Sequence, residues 1–355
     1  MSPTRPVAIA QVITGAAAAM ALLYFLAGIL IPLVIAFVLV VLVDAVVTFI
    51  DSRWPRAPRW AVSVLAGLTV ILLASSSIFT LAQGAVQMVE QGPALVARVE
   101  QLVQSASRSL GYAEPLQLSS LVGQVSLPEV AGFILSAAQG VLGAVILIIV
   151  YFGFLVSGRR RISRKVDAMA SSLGGPTALK RSLQRIAADL KTYLWVQTLT
   201  GIMLSGSSAV VMWAVGLDNV LFWTVVLFLL SFIPMIGVTI GSVVPALFAL
   251  LQFPTIWPAA AVFGGIQLVA FFIGNLIYPR MQADTQNIDP VVTLLALAFW
   301  TFLWGVPGAF LAVPMTLMVM MVFAQFESTR WAAAALSNDG NPDFQRLPEQ
   351  SRPPA

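Results

Sequence analysis

The chain has 355 residues, of which 59% are apolar and only 10% charged, and its mean hydropathy is +0.92. A soluble domain carries roughly 25% charged residues, so this chain cannot coat a water-facing surface and belongs in a bilayer. It contains no Cys and no His, which excludes disulfides, thiol nucleophiles, Cys/His zinc sites, His-ligated haem and His proton relays. A net charge of +4 on such a chain reports orientation rather than nucleic-acid binding.

The N-terminus, MSPTRP, leads into an apolar run over 7–43. A cleaved signal peptide has an apolar stretch of only ~7–15 residues, so the run reads as membrane-spanning. As one helix, residues 7–50 would measure about 66 Å against a hydrocarbon core of ~30 Å. One turn is therefore expected, at Gly28 and Pro32, giving two spans. Further spans are predicted over 60–81, 131–156 and 193–215.

Charge sets the sides. Segment 51–60 has Arg53, Arg56 and Arg59 against Asp51, and segment 158–191 has nine basic residues against Asp167 and Asp189. Segment 84–130 has Arg98 and Arg108 against Glu90, Glu100, Glu114 and Glu129. Lys and Arg stay cytoplasmic in short loops, which puts the N-terminus and both basic segments inside and 84–130 outside.

Two segments are amphipathic. Leu95, Val96, Val99, Leu102, Val103, Ala106 and Leu110 share one helical face, and Gly111, Pro115, Gly123 and Pro128 follow. This outer segment reads as a packed connector or as a receptor surface. Over 177–193, Leu179, Leu183, Ile186, Ala187 and Leu190 oppose Lys180, Arg181, Arg185 and Lys191. That pattern suits a helix on anionic headgroups. The cluster Arg159, Arg160, Arg161, Arg164 and Lys165 reads as a headgroup anchor, because no nucleic-acid motif accompanies it.

Two later stretches are too long for one span. Residues 220–252 would measure about 50 Å and residues 289–325 about 55 Å. Pro234 and Gly237 interrupt the first, and Gly305, Pro307 and Gly308 the second, with Pro314 as a further kink. Each is expected to enter the membrane and return to the same side. One ordinary span over 256–278 lies between them. Span plus hairpin then occurs twice, 193–252 and 256–325, in opposite orientation, as in the inverted repeats of secondary transporters. Irregular backbone at that depth survives only beside protein or a watery cavity.

At each tip one half-helix ends and another begins, so unpaired carbonyls and N–H groups face the same space. A small polar solute could be held there without side-chain charge. The candidate solute-binding residues are Ser231, Pro234, Gly237, Gln267, Asn275, Gly305, Pro307 and Gly308. For Gln267, Asn275, Gln197 and Thr200 the competing reading is helix–helix hydrogen bonding. Asp44 is the one carboxylate well inside an apolar run, and it is the candidate for proton or cation coupling. No Gly-rich nucleotide loop, catalytic pair or metal cluster is present, so neither an enzyme nor a cofactor is expected.

The runs FIPMIGVTIGSVVP (232–245), GNLIYPRM (274–281) and WGVPGAFLAVP (304–314) resemble the autoinducer-2 exporter family of bacterial permeases. The resemblance extends over residues 7–326. The segment after Arg280, MQADTQNIDP, departs from the family's more Gly-rich pattern there. The resemblance implies an inner-membrane, homo-oligomeric and pentameric transporter that moves its hairpins in an elevator-like way. It also leaves two substrate classes open, autoinducer-2 export and sodium or lithium/proton exchange. A non-transporting membrane scaffold is the reading from another class.

The expected fold class is an all-α integral membrane protein with about six full transmembrane helices, two re-entrant helical hairpins and amphipathic helices outside the bilayer. Its parts are N-terminal spans (1–83), an outer amphipathic segment (84–130), a fourth span (131–157), a basic inner region (158–192), a transport core (193–326) and a cytoplasmic tail (327–355). Pro342, Pro348, Pro353 and Pro354 predict a disordered tail. The expected partners are a small polar solute, membrane lipids and further copies of the chain, with no nucleic acid.

Overall fold

The computed structural model describes residues 5–53, 59–109, 140, 143–158, 161, 176–282, 288–324 and 327–340. Outside the described residues lie the Pro/Gly stretch 110–130, the start of the fourth span, most of the basic cluster near 160, the loop 283–287 and the chain from 341. Among the described residues the regular structure is helical, with one isolated bridge between Ile288 and Ser337.

In chain order the helices are α1 (Arg5–Phe25), α2 (Ala27–Arg53), α3 (Arg59–Glu90) and α4 (Gly92–Ser109). The apolar helix α5 (Gly143–Gly158) follows, then α6 (Pro176–Val215), α7 (Val220–Ser231) and α8 (Ile236–Gln252). Next come α9 (Trp257–Phe272), a π-helical turn (Ile273–Ile277) and α10 (Tyr278–Gln282). The last two are α11 (Pro290–Ala324) and α12 (Arg330–Leu336). Long uninterrupted apolar runs make these helices, because only a helix satisfies its own backbone in lipid. Ala27–Arg53, Val64–Met88, Ala187–Val215 and Trp257–Met281 are long and apolar enough to cross a membrane, as is Pro290–Ala324 by length and composition alone. The chain is thus an all-α integral membrane protein.

Several expected boundaries move. Gly28 and Pro32 both lie inside α2, and the break falls at Leu26. There Leu26 N–H donates to Leu22 O and Leu30 N–H to Leu26 O, each at 2.9 Å. Ile29 N–H reaches only back to Leu26 O at 2.9 Å, so the ladder is interrupted at the junction and the stretch forms two helices, as expected, with the break a few residues earlier. Pro32 costs its helix one hydrogen bond, and membrane helices tolerate such residues. No break occurs at 83/84, where α3 runs on to Glu90. None occurs at 192/193 either, so the basic amphipathic segment is continuous with the following span and not a separate helix. Nothing in 176–200 breaks a helix after Pro176, which sits at the first position that Pro favours. Residues 330–336, assigned by composition to a disordered tail, form α12. Its RWAAAAL sequence has the best intrinsic helix propensity, and Ala333 is buried.

The chain divides into two units, one of 67–143 with 198–279, the other of 1–66 with 144–197 and 280–355. The core of the first unit joins Leu204 and Met212 of α6, Trp223 and Leu227 of α7, Phe248 and Ala249 of α8, and Val262 and Ile266 of α9. Gly265 packs its bare Cα on Val211, and Gly84 of α3 does the same on the Phe222 ring. In the second unit, Leu311, Leu317 and Met320 of α11 are fully buried, as are Leu190 and Tyr193 of α6.

Each unit contains one helical hairpin. In the first, the Trp223 and Phe248 rings meet at 5.4 Å although they stand 25 residues apart. In the second, helical structure persists from Pro290 to Ala324, yet Gly305 has φ 63° and ψ −140° and the chain doubles back there. Trp300 Nε1 donates to Thr316 Oγ1 at 3.1 Å, where a straight helix would hold residues 16 apart at about 24 Å. Both expected hairpins therefore exist, and the element order span, hairpin, span, hairpin is present.

A Cβ on Gly237 would overlap the Leu230 carbonyl oxygen, and one on Gly308 the Trp300 carbonyl oxygen. Gly237→Ala and Gly308→Ala should each cost roughly 2–3 kcal/mol or more, since rigid backbone must move. Gly264→Ala, where nothing lies within 4 Å, should be neutral or mildly stabilising. Thermal unfolding in detergent, followed by size-exclusion fluorescence, reads this; equal melting for all three variants would contradict the close-contact assignment.

Candidate functional site

The first tip begins where α7 tightens. Phe232 N–H donates to Leu229 O at 3.2 Å and Ile233 N–H to Leu230 O at 2.9 Å. Pro234 then offers no amide proton, and the helix stops. Met235 adopts φ 60° and ψ −43°, and Ile236 N–H closes onto Pro234 O at 2.6 Å. This is a γ-turn of the rare, strained hand, held by a non-glycine residue. Gly237 N–H donates to Ile233 O at 3.1 Å, and α8 proceeds. The first amides of α8 and the last carbonyls of α7 lie at this tip, with no partner within their own helices beyond the bonds named. Met235 is 65% exposed and Ile236 is exposed, so the outer skin of the tip is apolar while its polarity is backbone.

Ser231 sits at the end of α7, where its Oγ donates to Phe228 O at 2.6 Å. It faces Gly201 of α6, whose missing side chain makes room for the Ser231 hydroxyl and the Phe228 ring. Thr200 and Gln197 are buried on the same stretch of α6. Ser231 thus packs against α6 at Gly201, and Pro234 and Gly237 follow it in the tip. Gln267 is half-buried on α9. Asn275 is exposed within the π-helical turn, and its Nδ2 donates to Phe271 O at 2.9 Å, a bond within its own helix. No described contact ties Asn275 to the tip.

The second tip is Trp304, Gly305, Val306, Pro307 and Gly308. The φ/ψ pair of Gly305 is open to glycine alone. Gly305, Val306 and Pro307 are exposed and Gly308 is buried. Behind them the Trp300 and Trp304 rings lie 5.3 Å apart. Trp300 bonds Thr316, whose hydroxyl donates to Ala312 O at 2.7 Å. Trp304 Nε1 donates to Leu23 O at 3.0 Å, beside the α1–α2 junction. Asp44 lies elsewhere in that unit, half-buried on α2. One turn on, Thr48 Oγ1 donates to Asp44 O at 2.8 Å, and Lys191 Nζ donates to Thr48 Oγ1. Among the described residues no group of three or more acidic side chains could hold a metal ion.

The open ends of both hairpins are fastened. Gln252 Oε1 accepts from Asp218 N–H at 2.9 Å, and Gln252 Nε2 donates to Gly216 O at 3.0 Å. Arg98 of α4 donates through Nη2 to Phe253 O at 3.1 Å and Pro254 O at 3.0 Å, just past the end of α8. A cation there complements the helix dipole. Segment 84–109 is thus packed on the first hairpin, with Met88 and Leu95 against its core. In the second hairpin, Asp289 Oδ1 caps α11 by accepting from Val291 N–H at 2.7 Å, and Asp289 N–H donates to Leu336 O at 3.2 Å. Sequence reading missed Gln252, Arg98 and Trp304. Their only signal was a long polar or indole side chain, since their partners are main-chain groups remote in sequence.

Gln252→Leu keeps the bulk and removes both bonds that close the first hairpin. It should destabilise by about 1–3 kcal/mol. Asp218→Asn should change nothing measurable, because the backbone amide of Asp218 makes the bond. Paired detergent melts check this, and an unaffected Gln252→Leu would refute the fastening.

Residues 13–328 match a family model described as AI-2E family transporter. The chain is 25% identical over 328 residues to the AI-2 transport protein TqsA of Escherichia coli (strain K12), covering 88% of this chain and 91% of that protein. It is 29% identical over 187 residues to YhhT of the same strain, covering 52% of this chain and 51% of YhhT. A Haemophilus influenzae protein is 24% identical over 204 residues, covering 56% and 58%. The match to the family runs from α1 through both hairpins, and the chain belongs to the AI-2E transporter family of multi-pass membrane transporters.

Proposed function

We propose that the chain is a secondary transporter that exports a small, uncharged, polar metabolite of the AI-2 kind across the bacterial inner membrane. The observation that carries this is the pair of hairpin tips, each offering helix ends and main-chain dipoles under an apolar skin. Hydrogen-bond donors and acceptors without formal charge suit hydroxyl and carbonyl groups. The likeness to TqsA, an AI-2 transport protein, supports the same class. In one unit Ser231, Pro234, Gly237, Gln267 and Asn275 are the candidate solute-binding residues, and in the other unit Gly305, Pro307 and Gly308. Rigid-body movement of fastened hairpins, in the elevator manner, carries the solute. Both termini are cytoplasmic, and copies of the chain assemble as a homo-oligomer, taken as a pentamer.

A sodium or lithium/proton antiporter is the second reading, and Asp44 in α2 is the observation that favours it. The Lys191–Thr48 bond one turn away argues for a structural anchor at that level instead.

Purified protein in liposomes should move AI-2 down its gradient. Pro234→Ala combined with Pro307→Ala should lower the rate about tenfold or more while the protein still folds. Absence of flux in wild-type vesicles would sink the proposal. Asp44→Asn should leave that flux intact; if it abolishes cation-driven proton movement, the antiporter reading takes over.

The chain has no Cys, so single cysteines report its sidedness cleanly. In intact cells Glu114→Cys should react with a membrane-impermeant maleimide, and Lys180→Cys should react only after permeabilisation. The opposite pattern would invert the topology.

A further inference from the structure

The open end of the first hairpin holds two hydrogen-bond donors that the described residues leave unsatisfied, Asn219 Nδ2 and Trp223 Nε1. Both atoms are buried, and the Trp223 side chain is 5% exposed. Asn219 stands at the N-cap of α7 in a left-handed conformation (φ 57°, ψ 35°), and its side chain makes no capping bond. Trp223 N–H makes the first helical bond, to Asn219 O at 3.1 Å. The amides of Val220, Leu221 and Phe222 before it have no partner within the helix.

Asn219 and Trp223 stand four positions apart at the start of α7. Positions four apart share a helix face, and a long side chain on a helix leans back over the preceding turn. The indole of Trp223 therefore lies over the first turn of α7, the turn that Asn219 opens. Phe222 at 5.0 Å and Phe248 at 5.4 Å brace its ring. Around this corner four polar connections to main-chain groups are made: Gln252 serves Gly216 and Asp218, and Arg98 serves Phe253 and Pro254. A corner that satisfies these groups yet strands two side-chain N–H donors calls for an oxygen acceptor from outside the chain.

We infer that Asn219 and Trp223, with the first amides of α7, bind a neutral oxygen of the transported solute, a hydroxyl or carbonyl, at the open end of the first hairpin. Water fills the position between turnovers. The neighbouring Asp218 carboxylate is exposed and disfavours an anion. The site is a waiting position separate from the tip, where solute exchanges water for protein donors. It rests on the transporter reading above, and it adds a second place on the hairpin where uncharged oxygen is recognised.

The test uses full-length protein. With the indole nitrogens labelled by nitrogen-15, the NMR line missing from Trp223→Phe belongs to Trp223. That line should shift saturably with AI-2 and with glycerol, and should not shift with acetate. In liposomes, Trp223→Phe and Asn219→Gly, the latter keeping the left-handed backbone, should each raise the half-saturating AI-2 concentration roughly tenfold at unchanged maximal rate. A line that ignores both neutral solutes, or that follows acetate, overturns the inference, as does unchanged half-saturation in both variants. If Trp223→Phe fails to fold, the half-saturating concentration of Asn219→Gly decides. If wild-type vesicles show no flux, the transport reading fails, while the indole titration still judges this site alone.

Discussion

Each hairpin depends on one backbone-to-backbone contact, a glycine Cα pressed on a carbonyl of the turn before it. Gly237 meets Leu230 and Gly308 meets Trp300. The constraint behind this is that apolar surroundings supply no hydrogen bonds, so a reversal must keep its main-chain polar groups close to one another. A wide loop would scatter them. A reversal of about five residues keeps them within reach, but only if no side chain separates the two arms. The same closeness lets Trp223 meet Phe248, and lets Trp300 reach Thr316, across arms that stand far apart in sequence.

This logic made the hairpins legible before any coordinates. Pro234 with Gly237, and Gly305 with Gly308, divided stretches too long for one crossing into halves too short for one. The same Pro/Gly reasoning placed the first break a few residues late, at Gly28 and Pro32. A proline near the start of a helix removes one bond and need not end it, and nothing about Leu26 announces a break. Amphipathicity identified 177–193 as helical but could not show that it continues into the span, because a change of face pattern is not a break. Composition likewise hid α12, seven residues of good helix former inside a polar tail. At the site, backbone-dictated residues such as Gly237 and Gly308 were readable. Residues that act on remote carbonyls were not: Arg98 works 155 residues from Phe253, and Trp304 works 281 residues from Leu23.

The fastenings also say which parts of each hairpin are free to change. At the open end of the first hairpin, Gln252 and Arg98 make four bonds to main-chain groups, and the Arg98 charge sits where the α8 dipole welcomes it. At its tip, Met235 holds a strained backbone angle without glycine. Strain of that kind costs of order 1–3 kcal/mol and persists only where surroundings impose it. A hairpin with a bonded base and a strained tip moves either as one body or at the tip. In the second hairpin the base is tied through Asp289 to α12 and the tip through Trp304 to α1, so both of its ends are anchored within its own unit.

These anchors bear on what such tips can select. Helix ends carry about half a unit charge each, of opposite sign, and at a tip one of each lies side by side. The pair presents a dipole rather than a net field, which matches a solute bearing both donors and acceptors and gives little to an isolated ion. A bare cation would need a carboxylate or a dense cage of carbonyls to replace its water. The carboxylate that sits deepest in an apolar run, Asp44, lies one turn from a threonine already claimed by Lys191, so its surroundings already include a positive charge. Electrostatics and the backbone geometry of the tips therefore favour the same answer, recognition of neutral oxygen chemistry by main-chain groups that a fold of paired reversals holds in place.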